Sequence, residues 1–118
     1  VQPDDQVLEP SAGTGLLIWP ARHARLMLNE IDARRQTCLD AAFPQVVISG
    51  HDAELIDDLL PASLIPDIVL MNPPFARSHG RGEDRHAADR HLTAAARRLK
   101  IGGRLVAILP DGFDALAW

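Results

Sequence analysis

Five short apolar runs, separated by segments of helical periodicity, constrain this chain more than anything else in it. They lie at 6–9, 25–29, 46–48, 68–71 and 105–109. Most are continuous rather than alternating, and a strand with apolar side chains on both sides must be covered on both sides. The pattern therefore describes a mostly parallel sheet with helices on both faces. Right-handed crossovers give such a sheet a doubly wound, Rossmann-like α/β order. Its ligands bind outside the carboxyl ends of the strands, at the switch point. The 118 residues suffice for one domain with one modest core.

The intervening segments carry their own punctuation. A short helix is expected at 16–19, with Pro20 opposing its continuation. Asp32 is placed to cap a helix reaching about Ala42, which Phe43-Pro44 ends. Asp52 can cap a helix with Leu55, Ile56, Leu59 and Leu60 on one face, stopped by Pro61. Asp84 can cap a helix over 85–100 with the apolar stripe Ala88, Leu92, Ala95 and Leu99. Arg97, Arg98 and Lys100 suit the C-terminal dipole of that helix, and Gly102-Gly103 ends it.

The chemistry gathers at the expected strand ends. Asn72-Pro73-Pro74-Phe75 directly follows Ile68-Val69-Leu70-Met71. Two prolines there cannot donate to a ladder, so the loop serves something other than pairing. Each fixes its own φ, and Pro74 restricts Pro73 to extended backbone, which aims the Pro73 carbonyl in advance. The Asn72 side-chain oxygen and that carbonyl can accept the two protons of a planar amino group and draw its lone pair out of plane. Phe75 adds a flat apolar face for a planar substrate.

Gly13-Thr14-Gly15 allows a sharp turn with close approach to a ligand, although a strand-to-helix turn of small residues is commonly only a turn. The third glycine of a dinucleotide fingerprint is replaced by Ile18, which disfavours a nicotinamide dehydrogenase. Glu30 closes the second run, about where a nucleotide-binding sheet places its ribose-binding acid. Asp52 has two readings, a helix cap or an acceptor for the exocyclic amine of an adenine, and both can hold through different oxygens. His51 reads as a loop residue, Arg22, His23 and Arg25 as surface. His86 and His91 read as a polar helix face without metal-ligand spacing, so no metal site is expected. The stretch 76–85, with three arginines and two glycines, either closes over a substrate or is a solvated loop.

Composition narrows the classes. A 47% hydrophobic and 24% charged chain is ordinary for a globular protein. No apolar run approaches membrane-spanning length, and Cys38 is the single cysteine, so a reducing, cytoplasmic setting without a membrane is expected. A formal net charge of −4 opposes a domain-wide nucleic-acid surface.

Residues 7–15, Asn29-Glu30-Ile31-Asp32, His51-Asp52-Ala53 and residues 67–75 together resemble the class I S-adenosylmethionine-dependent methyltransferases. The likeness is to the amino-methylating branch that includes the N6-adenine DNA enzymes, and it covers about 7–109. More narrowly, the chain is similar to the methylase-like domain of strawberry-notch-type helicase proteins. The resemblance implies S-adenosyl-L-methionine as cofactor. Glu9, Pro10, Ala12, Gly13, Thr14 and Gly15 would border its methionine part, Glu30 its ribose, Ile31 its adenine face, and Asp52 and Ala53 its adenine edge. Asn72, with the Pro73 carbonyl and the stiffening Pro74, would hold the target nitrogen, and Phe75 would stack the target ring. The implied partner is nucleic acid, DNA ahead of RNA.

The family's sheet has seven strands, and only eight residues follow Pro110. The fifth run would then be an exposed apolar edge needing a covering partner or further segment, as in an excerpt of a longer chain. The leading expectation is methyl transfer to adenine N6. Guanine N2 in RNA and a glutamine side-chain amide present similar nitrogens, and an inactive cofactor-binding module within a helicase-like protein is the alternative of another class.

Overall fold

The computed structural model describes residues 1–75, 77–78, 82–83 and 86–114. Along the chain run β1 (Gln6–Glu9), β2 (Arg25–Asn29), α1 (Ala33–Ala42), β3 (Ile48–Ser49), α2 (Ile56–Leu59), β4 (Ile68–Met71), β5 (Arg77–Ser78), β6 (Gly82–Glu83), α3 (Ala87–Arg98) and β7 (Arg104–Ala107). Five strands make one parallel sheet in the order β3-β2-β1-β4-β7. The chain moves outward from β1 to β3, then returns to build β4 and β7 on the other side. The switch point therefore lies between β1 and β4. This is the doubly wound, Rossmann-like α/β fold that the runs imply.

Successive side chains of β1 and β4 enter opposite layers, as strand geometry requires. Val7 and Ile68 join Ala12, Ile18, Ala21, Leu28, Leu39 and Phe43 on one face, beneath α1. Leu8 and Val69 join Ile56, Leu60, Met71, Leu92, Ala94 and Ala95 on the other, beneath α2 and α3. Each large side chain so buried contributes about 1.5–3 kcal/mol. At the amino end of the sheet Asp67 accepts the Gln6 amide at 2.9 Å and Lys100 Nζ at 3.0 Å. That couples the starts of β1 and β4 to the end of α3.

Several expectations need correction. The predicted helix at 16–19 is a run of turns followed by one 3-10 turn, Trp19–Ala21. Pro20 stands in the first turn of that element, where its missing N–H costs nothing. Trp19 packs edge-on against Phe43 at 5.6 Å, with the Arg22 guanidinium over its ring. The third strand shifts from 46–48 to Ile48–Ser49, because the Val46 amide closes a turn on the Phe43 carbonyl and Val47 faces solvent. The helix after Asp52 is one 3-10 turn, Ala53–Leu55, followed by the single turn of α2. Ile56 and Leu60 face inward, whereas Leu55 and Leu59 are exposed. The helix expected over 85–100 is α3, shorter at both ends, so it finishes before Gly102-Gly103. Its anticipated stripe of Ala88, Leu92 and Ala95 is buried, with Leu99 packed beside it.

Within the stretch read as a loop, β5 and β6 pair antiparallel. The expected Asp84 cap, and most of the loop's arginine, histidine and glycine residues, lie outside the described residues. The last strand is Arg104–Ala107 rather than 105–109, and it is the sheet's edge. Leu105 and Ala107 pack toward α3, but Val106 and Ile108 are more than half exposed. Only one face of this strand is covered among the described residues. No helix among them is long and apolar enough to cross a membrane.

Candidate active site

Four strand ends converge on a cleft of about 560 Å³. Its walls are Ser11 after β1, Glu30, Ile31 and Arg35 after β2, His51, Asp52 and Ala53 after β3, and Asn72, Pro73, Pro74 and Phe75 after β4. His91 of α3 completes them. Of the residues singled out from the sequence, Glu30, Ile31, Asp52, Ala53, Asn72, Pro73, Pro74 and Phe75 thus meet around one space. Glu9, Pro10, Ala12, Gly13, Thr14 and Gly15 do not line it; their turn meets the Glu30 carboxylate through the Gly13 amide.

The reason is visible in the hydrogen bonds. Glu30 is buried, and its carboxylate accepts the Gly13 amide at 2.7 Å and the Asp32 amide at 2.9 Å. A carboxylate has about four acceptor positions, so each oxygen keeps one for a ligand. Asp32 caps α1 as expected, accepting from the Arg35 and Arg34 amides, and these bonds, the Arg35 one foremost, hold its carboxyl below the usual range. Asp52 Oδ1 accepts the Glu54 amide at 3.0 Å, so the capping reading holds for that oxygen.

The glycine turn is made possible by two left-handed residues, Gly13 at φ +58° and Gly15 at φ +87°. A Cβ at Gly13 would meet open space, whereas one at Gly15 would come within 2.6 Å of the Phe43 ring. The two glycines therefore do different work. Gly15 lets the turn pack on α1, and Gly13 leaves room in front of it. Behind them Glu9 is buried, with Oε2 lacking a hydrogen-bond partner. Burial, followed by the neighbouring Glu30 charge, pushes its carboxyl up to about 8.

Two residues of consequence were not anticipated. Asn29 is buried at the end of β2, and its amide makes four bonds: Nδ2 donates to the Pro10 and His51 carbonyls, and Oδ1 accepts from Ser49 Oγ and the His51 amide. It fastens the ends of β1, β2 and β3 into one rim. His91, read as part of a polar helix face, is instead buried at 6% exposure in the cleft wall. The polar letters around it, Asp89, Arg90 and Thr93, hid its inward position. In the β4 loop Pro73 is buried, whereas Asn72 and Phe75 are exposed toward the cleft they line. Stiff backbone below and accessible side chains above suit capture of a planar group.

No protein-family model matches the chain, and no curated protein does. Solved structures do. A candidate methyltransferase from Streptococcus mutans in complex with SAH superposes with a TM-score of 0.66 at 14% identity, covering 88% of this chain and 62% of that one. The modification subunit of a candidate type I restriction enzyme from Vibrio vulnificus YJ016 gives 0.71 at 18%, covering 95% and 31%. An rRNA methylase from Streptococcus thermophilus gives 0.61 at 13%, covering 95% and 65%. The chain thus has the fold of these proteins and spans less than two thirds of the length of each.

Proposed function

We propose that this domain binds S-adenosyl-L-methionine and directs methyl transfer to a planar amino nitrogen, with adenine N6 in DNA as the leading acceptor. One observation carries the reading: acidic and apolar side chains suited to a nucleoside share a single cleft with the Asn72-Pro73-Pro74-Phe75 loop. The solved structures of similar fold support it, since one holds SAH and the others are named as a restriction-enzyme modification subunit and an rRNA methylase.

The residues present fit this cofactor. Glu30 would take the ribose hydroxyls through its two remaining acceptor positions, and Ile31 would lie against the adenine with Asp52 and Ala53 at its edge. The open space before Gly13 would admit the methionine part, and the buried Glu9 carboxyl at the start of the turn has an oxygen, Oε2, that lacks a hydrogen-bond partner. When bound, the sulfonium supplies an electrophilic methyl group. The protein's own contribution is alignment and charge stabilisation. Asn72 and the Pro73 carbonyl would hold the two N–H bonds of the acceptor and stabilise positive charge developing on nitrogen. Phe75 would stack on the acceptor ring, offsetting part of the cost of taking a base out of a duplex. No strong base is required, because the methylated nitrogen loses its proton readily to water.

A second reading, an inactive cofactor-binding module within a larger helicase-like protein of the strawberry-notch type, is favoured by the edge at β7, which no further strand pairs among the described residues. Under either reading a covering segment or partner would add to that edge, and the setting would be cytoplasmic. Calorimetry with S-adenosylmethionine, followed by labelled-methyl transfer to DNA, RNA and protein pools, separates the two. Transfer to DNA supports the leading proposal. Transfer to RNA or to glutamine-bearing protein moves the acceptor to guanine N2 or a side-chain amide. Binding without transfer to any pool selects the module, and absence of binding removes both.

A further inference from the structure

Glu9 is a buried carboxyl that neither lines the cleft nor holds the acceptor. It closes β1 at 1% exposure, and its Oε2 lacks a hydrogen-bond partner. An ionised carboxylate so placed has neither water nor a donor for that oxygen, so the neutral acid is the form that burial favours. The charge of Glu30 acts in the same direction, and together they bring the carboxyl to about 8. Strand alternation puts Glu9 on the Val7 side of the sheet, which α1 meets through Leu39. Pro10 to Gly15 and β4 carry no ionisable side chain, so the charged group acting on Glu9 is Glu30, at the end of β2.

The place of Glu9 in the sheet gives its proton a use. β1 lies between β2 and β4, and the residues that follow those two strands, Glu30 and Asn72, both line the cleft. A cofactor with its ribose at Glu30 and its transferable methyl at Asn72 carries its sulfonium between them, over the end of β1. Glu9 is the last residue of β1. With strands about 4.8 Å apart, the two charges would stand about 5–10 Å from each other. At an effective dielectric of about 20, opposite charges at that range bias each other's equilibria by about tenfold or more. No direct contact is required.

We propose that Glu9 keeps its proton in the free protein and releases it when the cationic cofactor binds, so that the site prefers the sulfonium form over its uncharged thioether product. The inference rests on the cofactor reading above. In turnover the bond from sulfur to methyl breaks with its electron pair left on sulfur. The bond from nitrogen to methyl forms, and the nitrogen loses one proton to water. The positive charge over β1 is then gone, Glu9 takes a proton from solvent, and the product is held less tightly than the cofactor was. The preference has a definite pH dependence. Where Glu9 is neutral with and without ligand it adds none; above the free value of about 8 it is ionised throughout and the preference is greatest. The preference therefore rises with pH between these limits.

Calorimetry with S-adenosylmethionine and S-adenosylhomocysteine, in two buffers of different ionisation enthalpy, counts the protons released on binding. The amino-acid part is common to both probes, so its own titration cancels in the comparison. At pH 7 wild type should release about half to one proton more with the sulfonium probe, and its preference for that probe should rise about fivefold between pH 6 and pH 8. Glu9→Gln should abolish the extra proton and leave a preference independent of pH. Where Glu9→Gln does not fold, carbon-13 NMR of glutamate-labelled wild type decides the matter. One carboxyl should titrate near 8 in the free protein and, at pH 7, ionise on addition of S-adenosylmethionine but not of S-adenosylhomocysteine. Equal proton counts for the two probes, an extra proton that survives in Glu9→Gln, or a carboxyl unmoved by the sulfonium probe overturns the proposal and leaves the cofactor reading standing. If wild type binds neither probe, both fail together.

Discussion

Asn29 and His51 exchange two hydrogen bonds of 2.9 Å, the Asn29 amide reading both the carbonyl and the amide of the His51 backbone. Through this exchange the end of β2 sets the position of the segment that delivers Asp52 and Ala53 to the cleft. Asn29→Ala would orphan the Pro10 and His51 carbonyls and the His51 amide at once. The expected cost is about 3 kcal/mol, measured by urea unfolding. Asn29→Asp should rescue little, because a carboxylate cannot donate to the two carbonyls.

Glu9 makes stability depend on pH in a definite direction. Its carboxyl is raised from 4.5 to about 8, chiefly by burial and then by Glu30. Between those values the folded chain keeps a proton that the unfolded chain has released. Its stabilising contribution is therefore full below about 4.5 and is lost as pH rises through about 8. Glu9→Gln removes the dependence. Thermal midpoints at pH 5 and pH 8 should show the variant gaining on wild type at the higher pH; parallel curves would contradict the burial argument.

His91 acts in the opposite sense. Its pKa lies below the ordinary 6.5, from burial first, with Glu54 and Asp52 opposing and Arg90 assisting. Its contribution is present above 6.5 and lost as pH falls through the lower folded value. His91→Phe should flatten this acid-side loss in a pH series of unfolding midpoints.

The two glycines of the turn should separate folding from binding. Gly15→Ala meets both a left-handed φ and the Phe43 ring, and should cost about 2–4 kcal/mol in urea unfolding. Gly13→Ala bears only the backbone strain, about 1 kcal/mol, because its Cβ would enter open space. If the methionine part of the cofactor occupies that space, the Gly13 variant should lose cofactor affinity out of proportion to its stability.

Asn72 lines the cleft, is exposed, and contributes nothing to the core. Asn72→Ala should leave unfolding within about 0.5 kcal/mol of wild type. Labelled-methyl transfer should disappear while cofactor affinity stays within about tenfold, the signature of a contact made in the transition state. A large loss of cofactor binding would assign Asn72 to the cofactor instead.

Features that depend on neighbours in the chain were legible before any coordinates. β1, β2 and β4 lie where continuous apolar runs demand two-sided cover, and Asp32 caps α1 because both partners lie within three residues. The eight cleft residues found from sequence share a property: each follows directly on a strand end, where a parallel sheet must present its ligands. What only the tertiary structure decided depends on contacts between segments distant in the chain. The four partner atoms of Asn29 come from two other strand ends, Pro10 after β1 and Ser49 and His51 at β3. His91 turns inward because α3 meets Glu54, not because of its own neighbours. The glycine turn is joined to the end of β2 because one carboxylate, Glu30, bridges the Gly13 and Asp32 amides. Leu55 and Leu59 face solvent because α2 has a single turn to bury. Local periodicity specifies an element, but a side chain's surroundings are set by the layer against which that element comes to rest.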